Sequence, residues 1–356
     1  MGNMKIFQLL YNPYIGNPYV RTLMDGICNI DKNVKFGYGS ELFWNDEIFQ
    51  YNIVHIHFPA DYVGFFSKSS ISSLFEQRLR ELKLNGIKII ATCHNLVPHY
   101  ERDNNKIQMY KITYMLADCI LHLGEYSLEL FKKEYPLTKH LLLFHHTYDQ
   151  MYHVMERNNS VKKLSLDPSK KYLLCFGDFR ANEERTMIDG IVKYFYKKGI
   201  EVLAPHYYKY AKRRNKLKMF TAWLKTKVKS FTTKGLHLYG KYVTDDMLPY
   251  FYGAADICLI QRKKILNSGN LPMAFYMGKV VVGPNVGNVG QILKDTGNPT
   301  FEPENEDSII DAIDKALMLN EQGIGEKNKK YADENWSTAK ISQQLYDIYK
   351  SIVGNA

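Results

Sequence analysis

Twice along this chain, short apolar runs alternate with amphipathic segments, and no other feature narrows the possible folds as far. In the first half, apolar runs of strand length occupy 5–10, 51–58, 87–93, 119–123 and 139–144. Between them, 20–30, 69–84, 106–117 and 126–135 read as helices, with Asn85-Gly86 stopping the second and Pro136 closing the last. A polar stretch, 156–171, contains Asn158-Asn159-Ser160 and Asp167-Pro168 and reads as a linker. The alternation then restarts. Strands are expected at 172–176, 200–204, 235–238, 256–260 and 280–282, and helices at 184–198, 244–253, 271–277, 307–319 and 338–353. Strands alternating with helices make parallel sheets covered on both faces. The expected fold is α/β, with two Rossmann-like doubly wound domains facing a cleft. The first spans 1–155, 156–171 links, and the second spans 172–335. Ligands in such sheets bind beyond the carboxyl ends of the strands, so the site is expected in the cleft.

The length of 356 residues suits two domains. Charge is the one unusual bulk property. The formal net charge is +10, yet 202–244 holds no acid and eleven bases: Lys209, Lys212, Arg213, Arg214, Lys216, Lys218, Lys225, Lys227, Lys229, Lys234 and Lys241. The rest of the chain is therefore close to neutral, which argues against a general nucleic-acid coat. Within 211–231, Leu217, Phe220, Trp223, Leu224 and Val228 recur at helical spacing among the lysines. A basic amphipathic helix with aromatic residues reads as lying on an anionic membrane. The plainer reading is a solvated helix covering the sheet. The apolar residues form no repeated stacking platform for bases, so no nucleic-acid partner is expected. The membrane reading makes 209–234 the contact with an anionic surface, and the protein peripheral on the cytoplasmic face of the cell membrane.

No apolar run approaches the roughly 20 residues of a membrane-spanning helix. The N-terminal residues run straight into a strand-like segment, without a cleavable-signal pattern. Ile6 stands where a myristoylation signal has Ser or Thr. Cys28, Cys93, Cys119, Cys175 and Cys258 are odd in number and far apart, which reads as reduced cytosolic thiols with no Cys-x-x-Cys site.

Two stretches carry chemistry. Asn267-Ser268-Gly269-Asn270 precedes a helix, where small polar residues offer free N–H groups to a phosphate, or else cap the helix in the ordinary way. Gly278 closes that helix, and the strand after it runs into the Gly283-Pro284-Asn285 loop. The histidines His55, His57, His94, His99, His145 and His146 read as zinc ligands or as packing residues. They lack metalloprotease and finger spacing, and no Asp-x-Asp is present, so no metal is expected. His145-His146 follows a strand and is placed to line the cleft. Asn12-Pro13-Tyr14-Ile15-Gly16-Asn17-Pro18-Tyr19 after the first strand either shapes an acceptor site or is turn chemistry.

Taken in order, these segments resemble GT-B glycosyltransferases of the large bacterial family 4 (group 1) and related exopolysaccharide enzymes. Val54-His55-Ile56-His57 resembles the second-strand motif. Thr92-Cys93-His94-Asn95-Leu96-Val97-Pro98-His99 resembles the loop T-x-H-N-x-x-P-H. Phe176-Gly177-Asp178-Phe179-Arg180 resembles the loop opening the donor domain. Leu238-Tyr239-Gly240-Lys241-Tyr242-Val243 and Ala254-Ala255-Asp256-Ile257 resemble two further donor-domain segments, and Ser268-Gly269-Asn270 through Gly290 resembles the donor site itself. Trp336 and the final helix, 336–356, resemble the tail that crosses back to the first domain.

The resemblance implies transfer of a sugar, a hexose by preference, from a UDP- or GDP-type donor to a glycan or lipid-linked acceptor in polysaccharide or lipooligosaccharide assembly, without a cofactor. It implies that Arg180 holds the diphosphate, that Ser268, Gly269 and Asn270 add donors, and that Tyr242 and Val243 line the base pocket. His94 matches the histidine at the transferred sugar. If the reaction inverts, the base comes from His94, His99 or Asp61. Two departures stand out. The family's paired glutamates would fall at Ile265 and Met273, and its lysine aligns with Glu183, with Arg185 as the candidate substitute. The missing acids also fit a non-catalytic GT-B module that binds another transferase.

Overall fold

The computed structural model describes residues 4–59, 71–97, 104–208 and 216–354. Twelve strands appear among them: β1 Lys5–Leu9, β2 Lys35–Tyr38, β3 Ile53–Ile56, β4 Lys88–Cys93, β5 Cys119–His122, β6 Lys139–Leu142, β7 Lys171–Leu174, β8 Ile200–Leu203, β9 Leu236–His237, β10 Ile257–Leu259, β11 Val280–Pro284 and β12 Thr300–Phe301. They form two six-stranded sheets in the orders β2-β1-β3-β4-β5-β6 and β12-β11-β10-β7-β8-β9. Every pairing is parallel.

Parallel strands covered on both faces read as unbroken apolar runs. Ile89-Ile90-Ala91 and Val280-Val281-Val282 are of this kind and are fully buried. Two of the four edge strands, β2 and β12, were not expected from sequence. An edge strand has one neighbour and needs no such run, and Lys35-Phe36-Gly37-Tyr38 is mostly open to solvent.

In each sheet the winding reverses once. The chain leaves β1 for β2 and returns to β3 on the other side of β1. It leaves β7 for β8 and β9 and returns to β10 on the other side of β7. Those two reversal points, β1/β3 and β7/β10, are where a doubly wound sheet opens a crevice at its carboxyl edge.

The chain divides into two compact units, Met1–His146 with Trp336–Ala356, and Thr147–Asn335. The terminal helix Thr338–Gly354 lies in the first unit against the helix Tyr19–Ile30. Gly26 permits that contact, since a Cβ there would collide with Ser342. The segment 156–171 differs from the linker reading. It carries the helix Arg157–Lys163, which packs on Leu248–Ala254 within the second unit. Gly253 allows the approach, because a Cβ on it would strike Ser160. A polar segment looks like a linker until the glycine that receives it, about ninety residues on, is known. The helix Gly287–Asp295 was likewise hidden by its glycines. Gly290 is needed because a Cβ there would lie 2.7 Å from the Asn285 backbone. Among the described residues no helix is long and apolar enough to cross a membrane.

Candidate functional site

At the β7/β10 reversal the second unit joins three loops. Gln261, directly after the β10 run, donates from its side-chain amide to the Gly177 carbonyl at 2.8 Å. Arg262 donates to the Asp178 carbonyl at 2.9 Å. Both side chains are buried. Gly177 faces Asn270 so closely that an added Cβ would lie 3.0 Å from Asn270 Nδ2. Arg180, in the same loop, has its backbone N–H held by Glu184 Oε2 at 2.8 Å. Its side chain is exposed, and its guanidinium makes no hydrogen bond or ion pair among the described residues. The loop after β8 adds His206, whose Nδ1 lies 3.4 Å from Asp178 Oδ1.

Ser268, Gly269 and Asn270 sit half-buried at the start of the helix Asn270–Tyr276, where Gly269 supplies no side-chain cap. The loop before it is pinned from the far side. Asn288 donates to Asn267 Oδ1 at 2.7 Å, and its backbone N–H to the Leu266 carbonyl at 3.0 Å. Gly287 makes that contact possible. Its φ is +59°, and a Cβ would lie 2.6 Å from the Ile265 carbonyl oxygen. Ile265 is half-buried and Met273 buried, so the positions of the missing acids are apolar contacts here.

Arg185 does not take the place of the missing lysine. It donates to the carbonyls of Phe179, Ala181 and Tyr207 at 3.1 Å each and lies over the rings of Phe179 and Tyr207. A guanidinium fastened to three carbonyls braces the loop rather than reaching a ligand. Val243 is buried and Tyr242 is 43% exposed. Neither borders the nearby cavity of about 640 Å³, whose wall includes Tyr239, Gly240 and Lys241.

In the first unit the β1/β3 reversal holds a buried group of histidines. His94, just past β4, places Nε2 at 3.2 Å from His57 Nδ1. His57 Nε2 reaches Gln8 Oε1 at 3.0 Å, and His55 Nε2 reaches Thr92 Oγ1 at 2.8 Å. Tyr19 is wedged among them, with ring centroids 5.0 Å from His94, 6.0 Å from His57, 4.5 Å from His145 and 5.1 Å from His146. Burial lowers the pKa of His55 to about 3 and that of His145 to about 4. His57 and His94 are held well below the usual range, first by burial and then by their histidine neighbours. These are neutral imidazoles near pH 7. No group of three or more His, Cys, Asp or Glu side chains among the described residues is placed to hold a metal ion. Asp61 and His99 lie outside the described residues.

No family model matches the chain, and no curated protein matches it in sequence. Solved structures do. Sucrose-phosphate synthase from Thermosynechococcus elongatus superposes with a TM-score of 0.73 at 14% identity, covering 99% of this chain and 100% of that one. HepE from Anabaena, solved with UDP and glucose, gives 0.67 at 10% identity over 98% and 100% of the two chains. A glycosyltransferase from Rickettsia africae ESF-5 gives 0.63 at 13% identity over the full length of both. The chain has the GT-B fold.

Within this GT-B chain, sequence reasoning named Arg180, Asn270 and His94 as candidates, and the structure places each at the carboxyl edge of its own sheet. Gln261 and Arg262 were missed. Their signal was available, as a polar pair set directly behind the apolar run 257–260. Gln8 and Tyr349 were also missed, and no local pattern marks them; Tyr19 closes the segment 12–19 that was read as shaping an acceptor site or as turn chemistry.

Proposed function

We propose that this GT-B chain transfers a sugar from a nucleotide-diphosphate donor to a glycan or lipid-linked acceptor. One observation carries the reading. At the β7/β10 reversal, Gln261 ties the Gly177 loop to the strand beside it, Asn270 closes on the same glycine, and the Arg180 guanidinium is left exposed and unengaged by described residues. As the glycosidic bond to the donor breaks, negative charge grows on the leaving diphosphate. Arg180 and the N–H groups at the start of Asn270–Tyr276 would stabilise it. Tyr242 and Val243 are assigned to the base, Ser268 and Gly269 to the diphosphate. His94 is assigned to the transferred sugar. Asp61 and His99 remain the other base candidates for an inverting route, and no metal is assigned. The UDP and glucose of HepE support a nucleotide-sugar ligand.

A thermal-shift screen with UDP-, GDP-, ADP- and CMP-sugars tests this. One class of donor should raise the melting temperature, and Arg180→Ala should abolish the rise. An unchanged response in the variant would show that the donor site is misplaced. The second reading, a non-catalytic module that binds another transferase, draws on the apolar Ile265 and Met273. It predicts neither donor binding nor turnover.

The basic segment is assigned to an anionic membrane face. In the helix Lys216–Thr232, Leu217, Phe220, Leu224, Val228 and Phe231 are all exposed, Phe231 to 90%. At about 100° per residue they share one side. Thr226, nearly opposite, is 2% exposed, and Lys229 pairs with Asp189 at 2.7 Å. The helix therefore docks by its polar side and turns its apolar side to solvent, with Lys225 and Lys227 flanking the stripe. That arrangement fits a headgroup boundary better than it fits a cover for the sheet.

A further inference from the structure

Behind His94 the first unit buries a continuous chain of polar side chains whose direction can be worked out. Gln8 comes from β1, His55 and His57 from β3 and its end, Thr92 and His94 from β4 and its end. Gln8 is in register with His55, and His55 with Ile90, so steps of two residues put all five on one face of three adjacent strands. Tyr349 joins them from the terminal helix. All six are buried. An unsatisfied polar group in such a place costs about 1–3 kcal/mol, so every proton needs an acceptor.

The Gln8 amide N–H donates to Tyr349 Oη at 3.1 Å. Its oxygen therefore faces His57 Nε2 at 3.0 Å. An amide oxygen only accepts, so His57 carries its proton on Nε2. A neutral imidazole has one N–H, which makes His57 Nδ1 an acceptor. The His94 Nε2, 3.2 Å away, must donate to it. At the other end Tyr349, having accepted from Gln8, donates to His55 Nδ1 at 2.6 Å, and His55 Nε2 donates to Thr92 Oγ1 at 2.8 Å. Burial keeps the three imidazoles from taking a second proton. The Tyr19 ring, edge-on to His94, holds the plane of that imidazole.

We propose that Gln8, His57 and Tyr349 are positioning residues that fix His94 as the neutral Nε2–H tautomer, which makes its Nδ1 an acceptor and not a donor toward any hydroxyl it meets, a sugar hydroxyl included. The contact with a sugar rests on the assignment of His94 made above, but the tautomer does not. The direction is a real alternative and not a convention. Turning the Gln8 amide over reverses every bond in the chain and moves the His94 proton to Nδ1.

Long-range proton–nitrogen NMR on the ligand-free protein labelled with 15N-histidine reads the tautomer directly, with His94→Gln to assign the ring. The expected result at pH 7.5 is a protonated Nε2 and an unprotonated Nδ1 on His94. A protonated Nδ1 overturns the proposal. Gln8→Leu and Tyr349→Phe should each turn the single tautomer into a mixture. Tyr349→Phe removes one hydroxyl only and keeps the test open if Gln8→Leu does not fold. A His94 signal unchanged in a folded variant also overturns the relay. Where transfer is measurable, both variants should lower kcat about tenfold with the donor KM within about twofold, the pattern of a group felt mainly in the transition state. The correct tautomer with no turnover of any donor would leave the relay standing and remove the transferase reading. Turnover with His94 protonated on Nδ1 would do the reverse.

Discussion

A Cβ on Gly177 would stand 3.0 Å from Nδ2 of Asn270, so the first loop of the second sheet and the start of the helix Asn270–Tyr276 leave no room between them for a methyl group. Gly177 is not among the glycines with a left-handed backbone, so alanine brings no backbone strain there. The cost falls on Asn270, whose side chain has to move. Gly177→Ala is expected to change stability by no more than about 1 kcal/mol. If the proposed donor site is right, it should weaken the thermal response to a nucleotide sugar at least about fivefold in apparent affinity, because both members of the displaced pair belong to that proposed site. A titration giving the wild-type affinity would mean that the Gly177–Asn270 contact is packing only.

Gly287 poses the opposite case. Its φ of +59° disfavours any side chain, and the obstacle is backbone, the Ile265 carbonyl at 2.6 Å. Backbone does not swing aside as an asparagine tip does. Gly287→Ala is expected to cost about 2–3 kcal/mol, from strain and overpacking together. Urea denaturation followed by circular dichroism measures it. A loss below about 0.5 kcal/mol would show that the loop 265–267 relaxes freely, contrary to its pinning by Asn288.

Acid should open the first unit before the second. His55, His57, His94, His122, His145 and His146 all have folded pKa values below 6.5, with burial the largest cause in each. Such a group is neutral in the fold, while the unfolded chain gains a proton as pH falls past about 6.5. The stability is fully present above that pH and is lost below it, at about 1.4 kcal/mol per pH unit for each proton taken up on unfolding. The loss continues down to the folded values, about 3 for His55 and His122 and about 4 for His145. His206 in the second unit is lowered by burial too, but Asp178 beside it opposes the shift. Trp44 and Trp336 belong to the first unit and Trp223 to the second, so in a Trp223→Phe background the fluorescence reports the first unit alone. Between pH 7.5 and 5.5 that fluorescence transition in urea should lose on the order of 8 kcal/mol, about 1.4 kcal/mol for each of the six rings. Equal midpoints at the two pH values would contradict the neutral burial of these rings.

The parts that sequence made legible and the parts it concealed divide along a physical line. Val280-Val281-Val282 announces a strand covered on both faces, because burial on two sides demands apolar residues in succession. β2 and β12 announce nothing, since Lys35-Phe36-Gly37-Tyr38 forms no unbroken apolar run and Thr300–Phe301 is only two residues long. Arg180, Asn270 and His94 could be named as candidates because each lies close after or before an apolar run, and doubly wound sheets put their ligands there. Arg185 looked in sequence like a substitute for the missing lysine. Its engagement with Phe179, Ala181 and Tyr207 depends on where the β8 loop returns, which spacing does not encode. The polar chain behind His94 was beyond reach for the same reason. His55 and His57 visibly share a face, but the hydroxyl that orients the whole chain lies 341 residues from the amide it receives.

The helix Lys216–Thr232 supplies the last prediction, because its apolar stripe and its lysines separate two causes of binding. Burying a phenylalanine at a headgroup boundary is worth about 1.5–3 kcal/mol, and a lysine near an anionic surface about 1 kcal/mol. Phe220→Ser with Phe231→Ser should therefore weaken binding to vesicles of anionic phosphatidylglycerol more than Lys225→Gln with Lys227→Gln does. The charge pair alone should still cost about thirtyfold at low salt, and that share should shrink as salt rises. Thr226, the Trp223 ring against Gly240 and the Lys229–Asp189 ion pair hold the helix to its unit, so both variants should melt close to the wild type. Sedimentation with anionic and with neutral phosphatidylcholine vesicles measures both. Equal recovery in the two pellets, or full binding retained by both variants, would return the stripe to being a solvated helix face.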